Sequence, residues 1–341
     1  MKKDLNHMDV LRAVGISLVV LRHSFSPYRG SWDVSKFYDY SLTVDYIGSY
    51  ISTISMPLFV FISGYIYYFL KAYLGKYSNY KILFKKKSRR LIVPYIILAP
   101  IYIYFFLDFE SLKTFLAHLW TDSGHLWFLL MMYIMFLLYY KFENFLINNN
   151  IIIGILIGAF LYIISTPLIA YNFQPIGRVS RYFIFFLLGN YFSKNSLTIL
   201  KLLKGKVFYI FSIHLLLFST YFYLSNVLEN KYLLIANKQM LLILSLLALC
   251  FVYGFLDFFV QKYRGFLSKI NPSIRLINNT SYYIYLIHQP ILKVYFTFLF
   301  VQKFSPIIGI PLAFIVSISI SIFLAKIILK SKAGRELIGS K

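Results

Sequence analysis

The sequence predicts an all-α fold: a polytopic transmembrane helical bundle of about ten spans with both termini in the cytoplasm. Three observations predict it. Mean hydropathy is +0.69. Hydrophobic residues make up 59% of the chain and charged residues only 14%, against about 25% charged in a soluble domain. Continuously apolar runs that meet or approach the ~20 residues needed to cross a bilayer recur along the whole chain. They do not alternate every second residue, which argues against a spanning β-barrel. Net positive charge is concentrated in alternate connections. Residues 71–90 hold eight Lys and Arg and no acid, whereas Arg29 and Lys36 on the opposite side are balanced by Asp33 and Asp39. The basic connections, 1–7, 71–90, 194–206, 258–278 and 331–341, are therefore cytoplasmic.

The first run, 8–26, contains Arg12 and His23, eleven residues apart. Eleven residues of α-helix make about three turns and climb roughly 16 Å, so the two share nearly one face. Asp9, three residues before Arg12, falls on that face and can pair with it. Ionisable groups at this depth are costly and usually functional. His23 is either a packing and hydrogen-bonding residue or, as a neutral imidazole, a general base near pH 7. The second run, 45–70, carries Phe61-Ile62-Ser63-Gly64-Tyr65, whose Ser63 and Gly64 are small enough to let helices pack closely. Lys85-Lys86-Lys87-Ser88-Arg89-Arg90 precedes the third run, 91–107. This stretch anchors topology, and Lys87, Arg89 and Arg90 also suit the phosphates of a cytosolic donor or anionic lipid. The fourth run, 124–141, opens with His125-Leu126-Trp127-Phe128. Trp127 fits an interfacial anchor, and His125 beside it is a candidate to line a pocket.

Runs 151–169, 180–193, 207–227 and 239–257 follow, the second of them short. The ninth, 279–301, holds Ser281-Tyr282-Tyr283-Ile284-Tyr285-Leu286-Ile287-His288-Gln289-Pro290. Pro290 disturbs the helix and frees carbonyls that His288 and Gln289 can partly satisfy. Lys293 strengthens the case for a polar cavity there. The tenth run, 305–330, is long enough to tilt.

Several classes are excluded. The net charge of +23 is explained by membrane anchoring and needs no nucleic-acid partner. The single cysteine, Cys250, allows no intrachain disulfide and no cysteine metal site. No metal is expected at the histidines either, since no carboxylates support a ligand spacing. Met1-Lys2-Lys3 leads straight into a charged span with no cleavage site, so no cleavable signal is expected. Without repeats or linkers, 1–341 reads as one integral-membrane domain with no appended soluble domain, suited to a bacterial plasma membrane. Aromatic residues make up 20%, and tyrosines on the outer side can stack on sugar rings.

Taken in order, these segments resemble the acyltransferase-3 family of bacterial membrane proteins. Arg12 through His23 is similar to its first-helix arginine, ten intervening residues and histidine. Phe61-Ile62-Ser63-Gly64-Tyr65 is similar to its second-helix motif, and Arg89-Arg90-Leu91-Ile92-Val93-Pro94 to its basic stretch. His125-Leu126-Trp127-Phe128-Leu129 and Tyr285-Leu286-Ile287-His288-Gln289-Pro290 match its fourth- and ninth-helix signatures. The family often shows Arg-x-x-Arg where this chain has Lys87-Ser88-Arg89-Arg90; Lys87 keeps the charge but loses the planar fork. The resemblance implies an enzyme that moves an acyl group, usually acetyl from acetyl-CoA, onto a hydroxyl of a cell-surface glycan or its lipid-linked precursor. On this reading no cofactor is bound permanently and the acyl-CoA is a substrate. Its phosphates lie near Lys87, Arg89 and Arg90, and its pantetheine arm reaches towards His23. His23 serves as general base or in a covalent relay, with Arg12 and Asp9 orienting it. Ser63, His125, Trp127 and His288 line the pocket. The rival class is a transporter or flippase for a glycan or lipid-linked sugar with His23 as proton relay. No matching pair of broken segments points to the inverted repeats common in that class.

Overall fold

The computed structural model describes residues 2–32, 38–148, 151–298 and 305–339. Among these there is no strand, and the α-helices in chain order are α1 (Lys2–Ser24), α2 (Leu42–Ala72), α3 (Tyr80–Lys87), α4 (Val93–Phe106), α5 (Leu112–Thr121), α6 (Trp127–Asn148), α7 (Ile151–Ala170), α8 (Gln174–Lys194), α9 (Ser196–Leu203), α10 (Val207–Val227), α11 (Lys231–Lys262), α12 (Arg264–Phe298), α13 (Pro306–Ile328) and α14 (Lys332–Leu337). Among the described residues, seven segments are long and apolar enough to cross a membrane: Leu42–Ala72, Tyr80–Phe106, Gly124–Leu146, Ile151–Ala170, Val207–Val227, Tyr232–Lys262 and Pro306–Ile328. This is a multi-pass helical membrane protein. The remaining predicted runs fall on α1, α8 and α12, where Arg12 and His23, Arg178 and Arg181, and His288 and Lys293 lower the mean hydropathy. Residues 299–304, Asp33, Lys36 and Lys341, which entered the span and charge reading, lie outside the described residues.

One boundary differs from expectation in a way that matters for the site. By its sequence the basic stretch is a connection ahead of a helix starting at 91. Instead a helix begins at Tyr80, where the Asn79 side chain accepts a hydrogen bond from the Ile82 N–H. That cap satisfies an orphan amide at the helix start, and no Gly or Pro interrupts the chain before Pro94. Lys85 to Arg90 are therefore helical residues. Three short helices were also not expected. Of these, α5 is opened by a reciprocal Ser111–Thr114 capping box and α14 by the Ser331 hydroxyl, which accepts from the Gly334 N–H.

The chain divides into two compact units, residues 1–62 with 195–322 and residues 63–194 with 323–341. In the first, α1 packs along α12 and α10 along α11, burying Leu11, Ile16, Val20, Leu58, Phe61 and Phe296. The turn after α1 is tied to α2 by Arg29, whose Nε lies 2.8 Å from Asp45 Oδ1 and whose Nη2 donates to Ser49 Oγ at 2.7 Å. In the second unit α7 and α8 run closely together. A Cβ at Gly154 or Gly158, one turn apart on α7, would stand 2.8 Å from Leu187 Cδ2 or Ile184 Cβ. Gly64 does the same for α2, since a Cβ there would fall against the Phe186 carbonyl of α8. Small residues admit this closeness between membrane helices, which is the role expected of the Ser63-Gly64 pair.

Candidate active site

Packing of α1 on α12 brings together residues far apart in sequence. Arg12 Nη2 donates to Ser281 Oγ at 3.1 Å and to the Asn278 carbonyl at 3.5 Å. The Asn278 side-chain amide donates to Asp9 Oδ1 at 2.5 Å, and Ser281 Oγ donates to the Asn278 carbonyl at 2.8 Å. Asp9 and Arg12 are thus joined through Asn278, which is 6% exposed. A part-buried network of this kind rigidifies its neighbourhood because each member holds the next in one geometry.

Three turns along α1 lies His23. Its ring centre is 5.2 Å from that of His288, with the rings inclined at 46°. Trp32, from the turn after α1, stacks over His23 at 6.1 Å and 21°, and Lys293 Nζ stands 5.9 Å from the Trp32 ring centre. Beside His23, the Arg22 guanidinium donates from Nε to Ser52 Oγ at 2.8 Å. His288 is fully buried. Its Nδ1 is 3.0 Å from the Ile284 carbonyl and 2.8 Å from the Tyr285 carbonyl. A carbonyl only accepts, so Nδ1 carries the proton and the neutral ring presents its lone pair at Nε2. The carbonyl that Pro290 leaves without its helical donor is that of Leu286, so these two contacts are not the ones expected from the proline. The His288 carbonyl in turn accepts from Ser317 Oγ of α13 at 3.2 Å. The arrangement supplies two imidazoles side by side, one with its tautomer fixed by the backbone.

The basic stretch belongs to the second unit. Between α3 and α4, residues Ser88–Ile92 form a π-helical turn, the kind of widened turn that recurs at functional sites. Ser88 Oγ is 3.0 Å from Tyr133 OH. The Lys87 ammonium sits 3.3 Å from the Phe136 ring centre and 5.1 Å from that of Tyr77. Arg89 and Arg90 are exposed. Burial raises the Tyr77 phenol above its usual range, with the nearby Arg90 charge pulling the other way. Gly339, at φ +65, abuts the Arg89 carbonyl where a Cβ would collide, and α14 packs on α4.

Also in this unit, His125 is buried against Tyr102, ring centres 5.5 Å apart. Gly124 before it has φ +59, and a Cβ there would strike the Tyr102 ring. Trp127 stacks on Tyr182 at 5.9 Å, and the Arg178 guanidinium lies 4.7 Å from its ring centre. Ser63 is half-buried on α2. Sequence reasoning missed a polar cluster here, in which Glu143 accepts from Tyr67 OH at 2.5 Å and pairs with Lys71. Glu143 is 6% exposed. It also missed Asn278, although the polar run Asn278-Asn279-Thr280-Ser281 opening an apolar span was a visible signal. Among the described residues, no group of three or more His, Cys, Asp or Glu gathers as a metal site.

A family model described as an acyltransferase domain matches residues 5–326. No curated protein and no solved structure matches the chain. Since that family model runs through both units and takes in α1 to α12 and most of α13, the protein belongs to the acyltransferase-3 family and is a membrane acyltransferase.

Proposed function

We propose that the protein is a plasma-membrane O-acyltransferase of a bacterial cell envelope. It moves an acetyl group from acetyl-CoA to a hydroxyl of an extracellular or cell-wall polysaccharide, or of that polymer's lipid-linked precursor. The observation that carries this reading is the His23–His288 pair, ring centres 5.2 Å apart, on helices locked together by the Arg12, Ser281, Asn278 and Asp9 network. His23 takes the proton of the acceptor hydroxyl as its oxygen attacks the thioester carbon; the C–S bond breaks and the CoA thiolate leaves. A positioned base of this kind contributes about 10²–10⁴-fold to rate. Arg12 and Asp9 act on His23 through the helix they hold, so they are positioning residues.

In the second unit, Arg89 and Arg90 offer exposed guanidinium forks for the donor's phosphates, with Lys87 adding charge. Acetyl-CoA is consumed as a substrate, and the excess of positive charge in residues 71–90 supports a cytoplasmic position for this cluster. The test is ester analysis of surface glycan from a deletion strain. Loss of an alkali-labile acetyl ester with polymer export intact supports acyl transfer. Unchanged ester with reduced export overturns it in favour of a transporter.

A further inference from the structure

We propose that His288 is the proton partner of His23, so that the hydroxyl proton passes through two imidazoles instead of resting on one. The inference rests on the assignment of His23 as base and extends it. Its first ground is the tautomer. Both acceptors of His288 Nδ1 are backbone carbonyls, of Ile284 and Tyr285 at 3.0 and 2.8 Å. They hold the proton on that nitrogen and leave Nε2 as the basic atom. Its second ground is proximity: the two ring centres are 5.2 Å apart, with the rings inclined at 46°. Its third is burial. His288 is fully enclosed, and its orientation is set by α12's own backbone in the turn before Pro290. Two carbonyls on one Nδ1–H also suit a ring that becomes cationic, because a charge-assisted hydrogen bond is stronger than a neutral one.

The steps balance. The acceptor O–H proton moves to His23 as the O–C bond forms. His23 then passes a proton to His288 Nε2 and is again neutral when the C–S bond breaks. His288 holds the charge with both ring nitrogens protonated, and returns the proton through His23 to the departing thiolate, giving CoA–SH. No oxidant or other co-reactant is required. His288 acts through His23 and is a positioning residue for the proton, not a group that touches substrate.

The test uses full-length protein in membrane vesicles that contain the endogenous acceptor, with radiolabelled acetyl-CoA as the probe. In His288→Asn the side-chain amide can still donate to the Ile284 and Tyr285 carbonyls, but the base at Nε2 is gone. The expected result is a fall in maximal transfer rate of about 10²-fold, the low end of a positioned proton acceptor, with the KM for acetyl-CoA unchanged. The wild type should show a curved dependence of rate on deuterium fraction, reporting two protons in motion, and His288→Asn a linear one. A purely structural role would not change that curvature. Should His288→Asn fold poorly, His288→Gln serves the same comparison, with thermal melting confirming the fold. Wild-type rate and curvature in a folded His288 variant, while His23→Gln is inactive, would overturn the relay and leave the base assignment standing. Wild-type transfer by His23→Gln would overturn the base assignment itself.

Discussion

Arg90 and Lys87 are three residues apart on one basic turn, yet their surroundings predict opposite behaviour when each is removed. Arg90 is exposed on the π-helical turn. If it binds a donor phosphate, Arg90→Ala removes a charge-assisted hydrogen bond, worth about 1.5–3 kcal/mol. Exposure argues for the low end. About 1.5 kcal/mol corresponds to roughly tenfold in affinity. Lys87 is instead packed 3.3 Å from the Phe136 ring centre and 5.1 Å from that of Tyr77, where cation–π attraction supplies about 0.5–2 kcal/mol. Lys87→Ala, which strips away the stem packed on those rings as well as the charge, therefore lowers the melting temperature more than Arg90→Ala, and Arg90→Ala weakens acetyl-CoA binding more than Lys87→Ala. Calorimetric titration of acetyl-CoA into nanodisc-embedded protein, with fluorescence-monitored melting, measures both. A donor analogue without its 3′-phosphate should lose less affinity on Arg90→Ala if that phosphate is the group held. Unchanged acetyl-CoA affinity in folded Arg90→Ala, or a reversed ranking of the two variants, would refute the division of roles and reduce the stretch to a topology anchor.

Three further outcomes follow from the geometry. Gly64→Ala drives a methyl into the Phe186 carbonyl and to 3.1 Å from Asn190 Nδ2; overpacking of this kind costs about 1–3 kcal/mol, and an unchanged melting temperature would contradict the close α2–α8 approach. Glu143→Ala leaves Lys71 and Tyr67 without their shared acceptor, and should destabilise by about 3 kcal/mol, the low end for a broken buried pair because Lys71 is 28% exposed; Glu143→Gln, which keeps an acceptor for Tyr67, should recover part of that loss in the same melting assay. In a chain whose Cys250 is replaced, an impermeant thiol reagent added to whole cells should label a cysteine at 229 and spare one at 89, and the reverse pattern would invert the topology.

Much of the architecture was legible because a bilayer leaves few options. Each long apolar run had to close its own hydrogen bonds, so the runs at 45–70, 151–169 and 207–227 became α2, α7 and α10 nearly residue for residue. Gly64 was legible for a related reason, since Gly in a span points to close packing. The π turn at Ser88–Ile92 was not, because no residue type encodes the wider hydrogen-bond register; it depends on how α3 and the turn itself pack on α6. Nor was the start of α3 at Tyr80, where the local Asn79 cap overrode the reading of a charged stretch as a connection. The candidate site was legible in its parts and not in its assembly. Arg12, His23, Ser281 and His288 each stood out, but nothing local links α1 to α12. That the Asp9–Arg12 link runs through Asn278, and that His23 meets His288 and Trp32, are consequences of tertiary packing.

The most direct test of His23 as the base is the acetyl transfer rate of His23→Gln. Glutamine keeps a hydrogen-bonding side chain but accepts no proton near neutral pH, so folded His23→Gln with normal acetyl-CoA binding should lose about 10²–10⁴-fold in transfer to envelope glycan. Arg12→Lys, which can still reach Ser281 with a charged donor, should keep more activity than Arg12→Ala. Transfer by folded His23→Gln at the wild-type rate would contradict histidine catalysis and turn attention to Ser63 and His288.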